Sequence, residues 1–106
     1  MDCDICYILS GHTPIPENDV LKWALWMDSH DRIVKQTKPC PGVLVSTVFT
    51  GVDYGYFPEH IPVLFETMIF GGRHDQFIER YYTWDEAKRG HHIIVREFFP
   101  MLITTN

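Results

Sequence analysis

Two apolar runs, Val43 to Val52 and Val63 to Phe70, flank the loop Asp53-Tyr54-Gly55-Tyr56-Phe57-Pro58-Glu59-His60-Ile61-Pro62, and they constrain the fold more than any other stretch of the chain. Short runs rich in Val, Phe and Ile, bounded by turn residues, read as neighbouring strands of one sheet. In each run both alternating sets are mainly apolar: Val43, Val45 and Phe49 against Leu44, Val48 and Val52, then Val63, Phe65 and Ile69 against Leu64, Met68 and Phe70. A sheet that is apolar on both faces needs cover on both. The loop at the hairpin tip carries aromatic and ionisable side chains, unusual content for a surface connection, and is a candidate binding edge.

Elements around this hairpin follow from the same patterns. Ile5 to Leu9 is a short strand-like run stopped by Ser10-Gly11, and Thr13-Pro14-Ile15-Pro16 reads as an extended linker because each proline disfavours helix in its predecessor. A helix is expected to start near Pro16 to Asp19, with Glu17 and Asp19 at its positive end and Val20, Leu21, Ala24, Leu25 and Met27 as its apolar stripe. Ser29-His30-Asp31 closes it. Arg32 to Thr37 alternates as a strand, and Gln76 to Tyr82 resumes an extended pattern after Gly71-Gly72, giving an antiparallel meander. Thr83-Trp84-Asp85-Glu86 has the form of a capping box. The helix it opens carries Trp84, Ala87, His91, Ile94, Val95 and Phe98 at three- and four-residue spacing and ends at Pro100.

The expected architecture is therefore one α+β domain over residues 1–106, an antiparallel sheet of four to five strands with two principal helices. A chain of this length buries about 65% of its unfolded surface, enough for one core. If both helices pack on one face, the other face lies open, and homodimerisation through it is the expectation.

Composition narrows the function classes. The net charge of −5 is spread along the chain, which disfavours attraction to phosphate backbones, and Arg73, Arg80 and Arg96 interleave with Asp75, Glu79 and Glu97, which disfavours imitation of nucleic acid. No stretch has the length of a membrane span, and Met1-Asp2-Cys3-Asp4 is unlike the start of a signal peptide, so a cytoplasmic setting without nucleic-acid or membrane partners is expected. The odd set Cys3, Cys6 and Cys40 then favours reduced thiols over a disulfide. Cys3-x-x-Cys6 has too few accompanying ligands for zinc, and the run after it, through Leu9, is strand-like rather than helical as in thioredoxin-type motifs. No metal or cofactor is expected.

Candidate chemistry is sparse. Glu66 lies inside an apolar strand, where desolvation would raise its pKa toward that of a general acid or base; the alternative is pairing with Arg32 or Arg80 on an adjacent strand. His91 falls on the buried stripe of the last helix, where a lone histidine is more often a satisfied core residue than a ligand, and His92 points elsewhere. Gly71-Gly72-Arg73-His74 could hold a phosphate with amides and a guanidinium, but it lacks nucleotide-loop spacing and also reads as a polar turn. Tyr54, Tyr56, Phe57 and His60 form either an aromatic platform or a flap over the sheet edge. Asp53, Tyr54, Tyr56, His60, Arg73, His74 and Arg80 are the candidate ligand- or partner-binding residues, and no catalytic set is assigned.

Several segments in this order resemble a family of small bacteriophage and prophage proteins of uncharacterised function: Leu21-Lys22-Trp23 through Trp26, Asp31-Arg32-Ile33-Val34, Val45 to Asp53, Leu64 to Phe70, and Arg80 to Ala87 with Gly90-His91. The likeness covers Ile8 to Val95. In that family the hairpin loop tends to carry a His- or Gly-rich stretch ending in paired prolines, unlike the loop here. The resemblance implies a non-catalytic accessory protein, at work in the host cytoplasm, that binds and neutralises a host component, either a host protein or a small nucleotide-type signal of a defence system. The alternatives are a small acid–base hydrolase or transferase using Glu66 and a histidine, and a structural phage component.

Overall fold

A computed structural model describes residues 1–55 and 61–100 of the chain. It has the α+β architecture expected, with eight elements: β1 (Tyr7–Ser10), β2 (Thr13–Pro16), α1 (Val20–Ser29), β3 (Ile33–Thr37), β4 (Leu44–Phe49), β5 (Phe65–Phe70), β6 (Ile78–Tyr81) and α2 (Trp84–Phe98). β3 to β6 form a four-stranded antiparallel meander in sequence order, and β1 and β2 form a separate two-stranded hairpin.

The hairpin corrects the reading of Thr13 to Pro16 as a linker. Register pairs Ile8 with Ile15 and Ser10 with Thr13, while Leu9 faces Pro14 and Tyr7 faces Pro16. Glu17 N–H donates to Cys6 C=O (2.9 Å), so the hydrogen-bonded pairs are those of Ile8 and Ser10. Both prolines thus occupy positions whose missing N–H would point away from the partner strand. Gly11 supplies the positive φ (62°) that the two-residue turn needs.

Asp19 caps α1, its Oδ1 accepting from Leu21 N–H (2.9 Å) and Lys22 N–H (3.3 Å). The inward face of α1 differs from expectation: Leu21 and Leu25 are 67% and 62% exposed, and Trp26 and Met27 are the residues that reach a buried cluster. Trp23 Nε1 donates to Gly51 C=O (2.9 Å), and a Cβ on Gly51 would collide with Met27 Sδ. That single glycine sets how α1 docks at the end of β4, and aromatic bulk prevails over simple aliphatic periodicity.

α2 lies across one face of the four-stranded sheet. Thr83 caps it, its Oγ1 accepting from Glu86 N–H (3.1 Å), but the reciprocal bond runs from the Thr83 hydroxyl to Glu86 Oε1 (3.2 Å) rather than from the Thr83 amide. Ala87, His91, Ile94 and Val95 are buried, as the stripe requires. Beneath them lie Val43, Val45 and Ile69 toward the helix C-terminus and Phe49, Leu64 and Phe65 toward its N-terminus. Tyr7, Leu9, Trp26 and Trp84 close this second cluster, bringing the small hairpin and α1 to that end of the sheet.

The expectation of reduced thiols is overturned at the amino-terminal end. Cys3 and Cys6 are joined by a disulfide, whereas Cys40 is free and exposed. Cysteine parity and compartment do not capture the local backbone: Cys3 N–H donates to Asn18 C=O (2.7 Å) while Cys6 bridges Val52, which bends the segment and brings the two thiols together.

Candidate functional site

The sheet has two chemically different faces. On the face under α2, Thr47 and Thr67 stand opposite each other and are fully buried. Thr47 Oγ1 lies 2.7 Å from His91 Nδ1, Thr37 Oγ1 lies 2.7 Å from His91 Nε2, and Tyr81 Oη donates to Thr67 Oγ1 (3.0 Å). A short Thr47–Thr67 hydroxyl contact completes a chain across all four strands. With Tyr81 donating to Thr67, a consistent direction follows along the chain: Thr67 donates to Thr47, Thr47 to His91 Nδ1, and His91 Nε2–H to Thr37. Burial, with the adjacent His92 and Lys35 charges adding to it, pulls the His91 pKa from 6.5 down to about 4. His91 is therefore a neutral core residue sealed from solvent. The threonines that satisfy it were legible only as small polar breaks in apolar strands, each at a position facing the helix stripe.

The opposite face carries Leu44, Ser46 and Val48 of β4, Glu66, Met68 and Phe70 of β5, and Ile78 and Arg80 of β6. Ile33 of β3 stands beside Val48, and Gln36 Nε2 donates to Ser46 Oγ (3.1 Å). No described element covers it: both helices and the small hairpin pack elsewhere, and Ile33, Phe70 and Ile78 are 43%, 46% and 39% exposed. Glu66 sits on this face and pairs with Arg80 across the strands (Nε to Oε2, 3.1 Å). Arg32, the other cation considered for it, donates instead to Phe49 C=O (3.2 Å). Glu66 and His91 thus occupy opposite faces and form no dyad.

The candidate binding residues divide into two groups. The Arg80 guanidinium lies over the Tyr54 ring, 4.8 Å from its centroid, so Tyr54, Arg80 and Glu66 make one cluster at the end of the open face. Asp53 belongs to the loop's own architecture, Oδ1 accepting from Gly55 N–H (2.9 Å) and Val63 N–H (3.0 Å). Arg73 and His74 lie in the β5–β6 connection, at the far end of β5, where His74 packs on Phe98 at 4.6 Å between ring centroids. Six residues of strand, roughly 17–20 Å, separate them from the Tyr54 cluster, so one ligand held by all of these groups is not built here. Tyr56 and His60 lie outside the described residues.

Among the described residues, no three His, Cys, Asp or Glu side chains converge to hold a metal ion, and no helix is long and apolar enough to cross a membrane. Comparison with protein-family models, with curated proteins and with solved structures finds no match to this chain.

Proposed function

We propose that this protein is a non-catalytic binding protein that works as a homodimer, two copies meeting through the open face of the sheet. The observation that carries this reading is that face: Leu44, Met68, Phe70 and Ile78 adjoin one another and Ile33 stands beside Val48, with Gln36, Ser46 and Glu66 between the two groups and no covering element among the described residues. Strand length and spacing give the whole face, its polar positions included, a footprint of about 20 by 19 Å, close to 400 Å² in projection, a size at which the largest patch of a monomer is often functional. Among the described residues of its strands, Glu66 and Arg80 pair and neutralise each other, so two copies can approach without net repulsion. Two twisted antiparallel sheets pack face to face at about 10 Å.

An interface of this footprint, about 800 Å² over both copies, falls below the size of stable complexes and within that of weak, transient ones, so the dimer is one that dissociates on dilution. The Tyr54–Arg80 cluster then lies at the rim of the dimer seam, available to a further partner. In line with the resemblance to small phage accessory proteins, we assign that partner to the host cell, a host protein or a small nucleotide-type signal.

Sedimentation velocity across a hundredfold concentration range tests the dimer. A shift from one to two copies, abolished by Met68→Asp with the circular dichroism spectrum retained, supports the reading. A single copy at every concentration overturns it.

A further inference from the structure

The sheet ends at β6 in a second surface, on the α2 side, that shares with the dimer face only Ile78 and Arg80, whose side chains the dimer uses and whose outward backbone groups it does not. Among the described residues β6 is an edge strand, hydrogen-bonded only to β5. Ile69 N–H donates to Phe77 C=O (3.1 Å), and the register then makes Thr67–Glu79 and Phe65–Tyr81 the hydrogen-bonded pairs. By the same alternation, the backbone N–H and C=O groups of Ile78 and Arg80 point outward from the edge. Directly beside this edge, between β6 and α2, runs a groove of about 450 Å³ whose apolar lining includes Phe77, Tyr81, Ile94 and Phe98. Three carboxylates, Glu79, Glu86 and Glu97, line it with one guanidinium, Arg89. Arg96 stands 3.8 Å from Glu97, but both side chains are well exposed and solvent screens that pair.

We propose that the β6 edge and this groove form a docking site for an extended, cationic segment of another protein, which adds as a fifth strand beside β6. Main-chain bonds to Ile78 and Arg80 would hold its backbone. Side chains on the α2 side would place apolar groups on the groove floor and Lys or Arg termini on the carboxylates, the usual division between backbone affinity and side-chain specificity in strand addition. The other edge of the sheet is less suited, since β3 carries a bulge between Ile33 and Lys35.

Charge also argues against a second copy of this chain as the occupant. The symmetric antiparallel registers of β6 centred on Glu79 or on Arg80 set like charges directly opposite, which is destabilising, and in every symmetric register a second copy brings its own Glu79 to the side already lined by Glu79, Glu86 and Glu97. A cationic partner meets an excess of two carboxylates instead.

Two synthetic hexapeptides test the site on the full chain, one alternating Val and Lys and one alternating Val and Glu, by fluorescence anisotropy together with amide hydrogen exchange. The Lys peptide should bind at least tenfold more tightly and slow exchange at Ile78 and Arg80. The double substitution Glu79→Lys with Glu97→Lys, both at exposed positions, should reverse the preference while leaving the sedimentation coefficient unchanged. Met68→Asp should leave peptide affinity unchanged, which separates this site from the dimer seam. Equal binding of the two peptides, unchanged preference in the double variant, or slow exchange at Ile78 and Arg80 in the Met68→Asp monomer before any peptide is added would each overturn the proposal, the last because the edge would already be occupied.

Discussion

The ring of Tyr81 occupies the space that a side chain on Gly90 would fill: a Cβ built on Gly90 falls inside contact distance of Cε1, Cζ and Oη of Tyr81. Glycine in the middle of a helix costs about 1 kcal/mol relative to alanine, so its presence in α2 needs a reason, and this close approach of β6 to the helix backbone supplies one. The same contact lets Tyr81 Oη reach Thr67 Oγ1 (3.0 Å) and start the buried hydroxyl chain. Gly90→Ala should therefore destabilise the fold, because displacing a packed ring costs about 1–3 kcal/mol and exceeds the helix gain. Urea denaturation measures it. In the Tyr81→Ala background the same change should be stabilising, and a stabilising effect of Gly90→Ala in the wild type would show that the ring does not hold this position.

His91 makes stability depend on pH in a definite direction. Its folded pKa, about 4, lies below the ordinary 6.5, so its contribution is fully present above pH 6.5 and is lost as pH falls through that window toward 4. The unfolded chain takes up a proton there that the folded chain refuses. The groups facing the imidazole, Thr37, Thr47, Lys35 and His92, include no carboxylate that could stabilise the imidazolium. At about 1.4 kcal/mol per pKa unit, the loss is on the order of 3 kcal/mol by pH 4. Ring nitrogen NMR should find His91 neutral at pH 5.5, with Nε2 protonated and Nδ1 accepting. An imidazolium at that pH, or the Nδ1–H tautomer, would contradict the direction assigned to the hydroxyl chain.

Much of this architecture was legible in the chain because local pattern and tertiary packing agree there. The meander and α2 follow from alternation, the Gly71-Gly72 break and the Thr83 cap, all of which act within a few residues. The small hairpin was not legible: Pro14 and Pro16 argue against strand until one knows that their missing amides point away from β1. The inward face of α1 depends on Gly51, 24 residues downstream of Met27, and no helical periodicity encodes that contact. For the candidate site, pairing of Glu66 with Arg80 follows from strand adjacency, whereas the separation of Arg73 and His74 from Tyr54 follows from strand length, since β5 holds the two polar groups at its opposite ends.

The Cys3–Cys6 bond should be a measurable part of that amino-terminal anchorage. Around it Tyr7 N–H donates to Gly51 C=O (2.9 Å) and Asp53 N–H to Ile5 C=O (2.9 Å), so the bridged segment runs along the residues that come after β4. Closing so short a loop stabilises by about 2 kcal/mol in the chain-entropy account. Cys3→Ser, chosen because Cys6 is buried, should lower stability by that order without altering the far-ultraviolet spectrum. Adding dithiothreitol to the wild type should reproduce the loss and have no effect on the variant. Equal urea midpoints with and without reductant would remove the bond from any structural role.

Glu66→Gln separates a structural carboxylate from a reactive one and also probes the dimer seam. The ion pair with Arg80 is partly exposed, so breaking it should change monomer stability by no more than about 1 kcal/mol. Its larger effect is on association: each open face would then carry an uncompensated Arg80 charge, and the dimer should weaken several-fold at low salt, where screening is least. The double substitution Glu66→Gln with Arg80→Gln should recover most of that loss because the face is again neutral. Raising the salt concentration should shrink the difference between single and double variants, since both expose the same apolar area. If the single variant associates as strongly as the wild type at low salt, the Glu66–Arg80 pair lies outside the seam and the two copies meet through another surface.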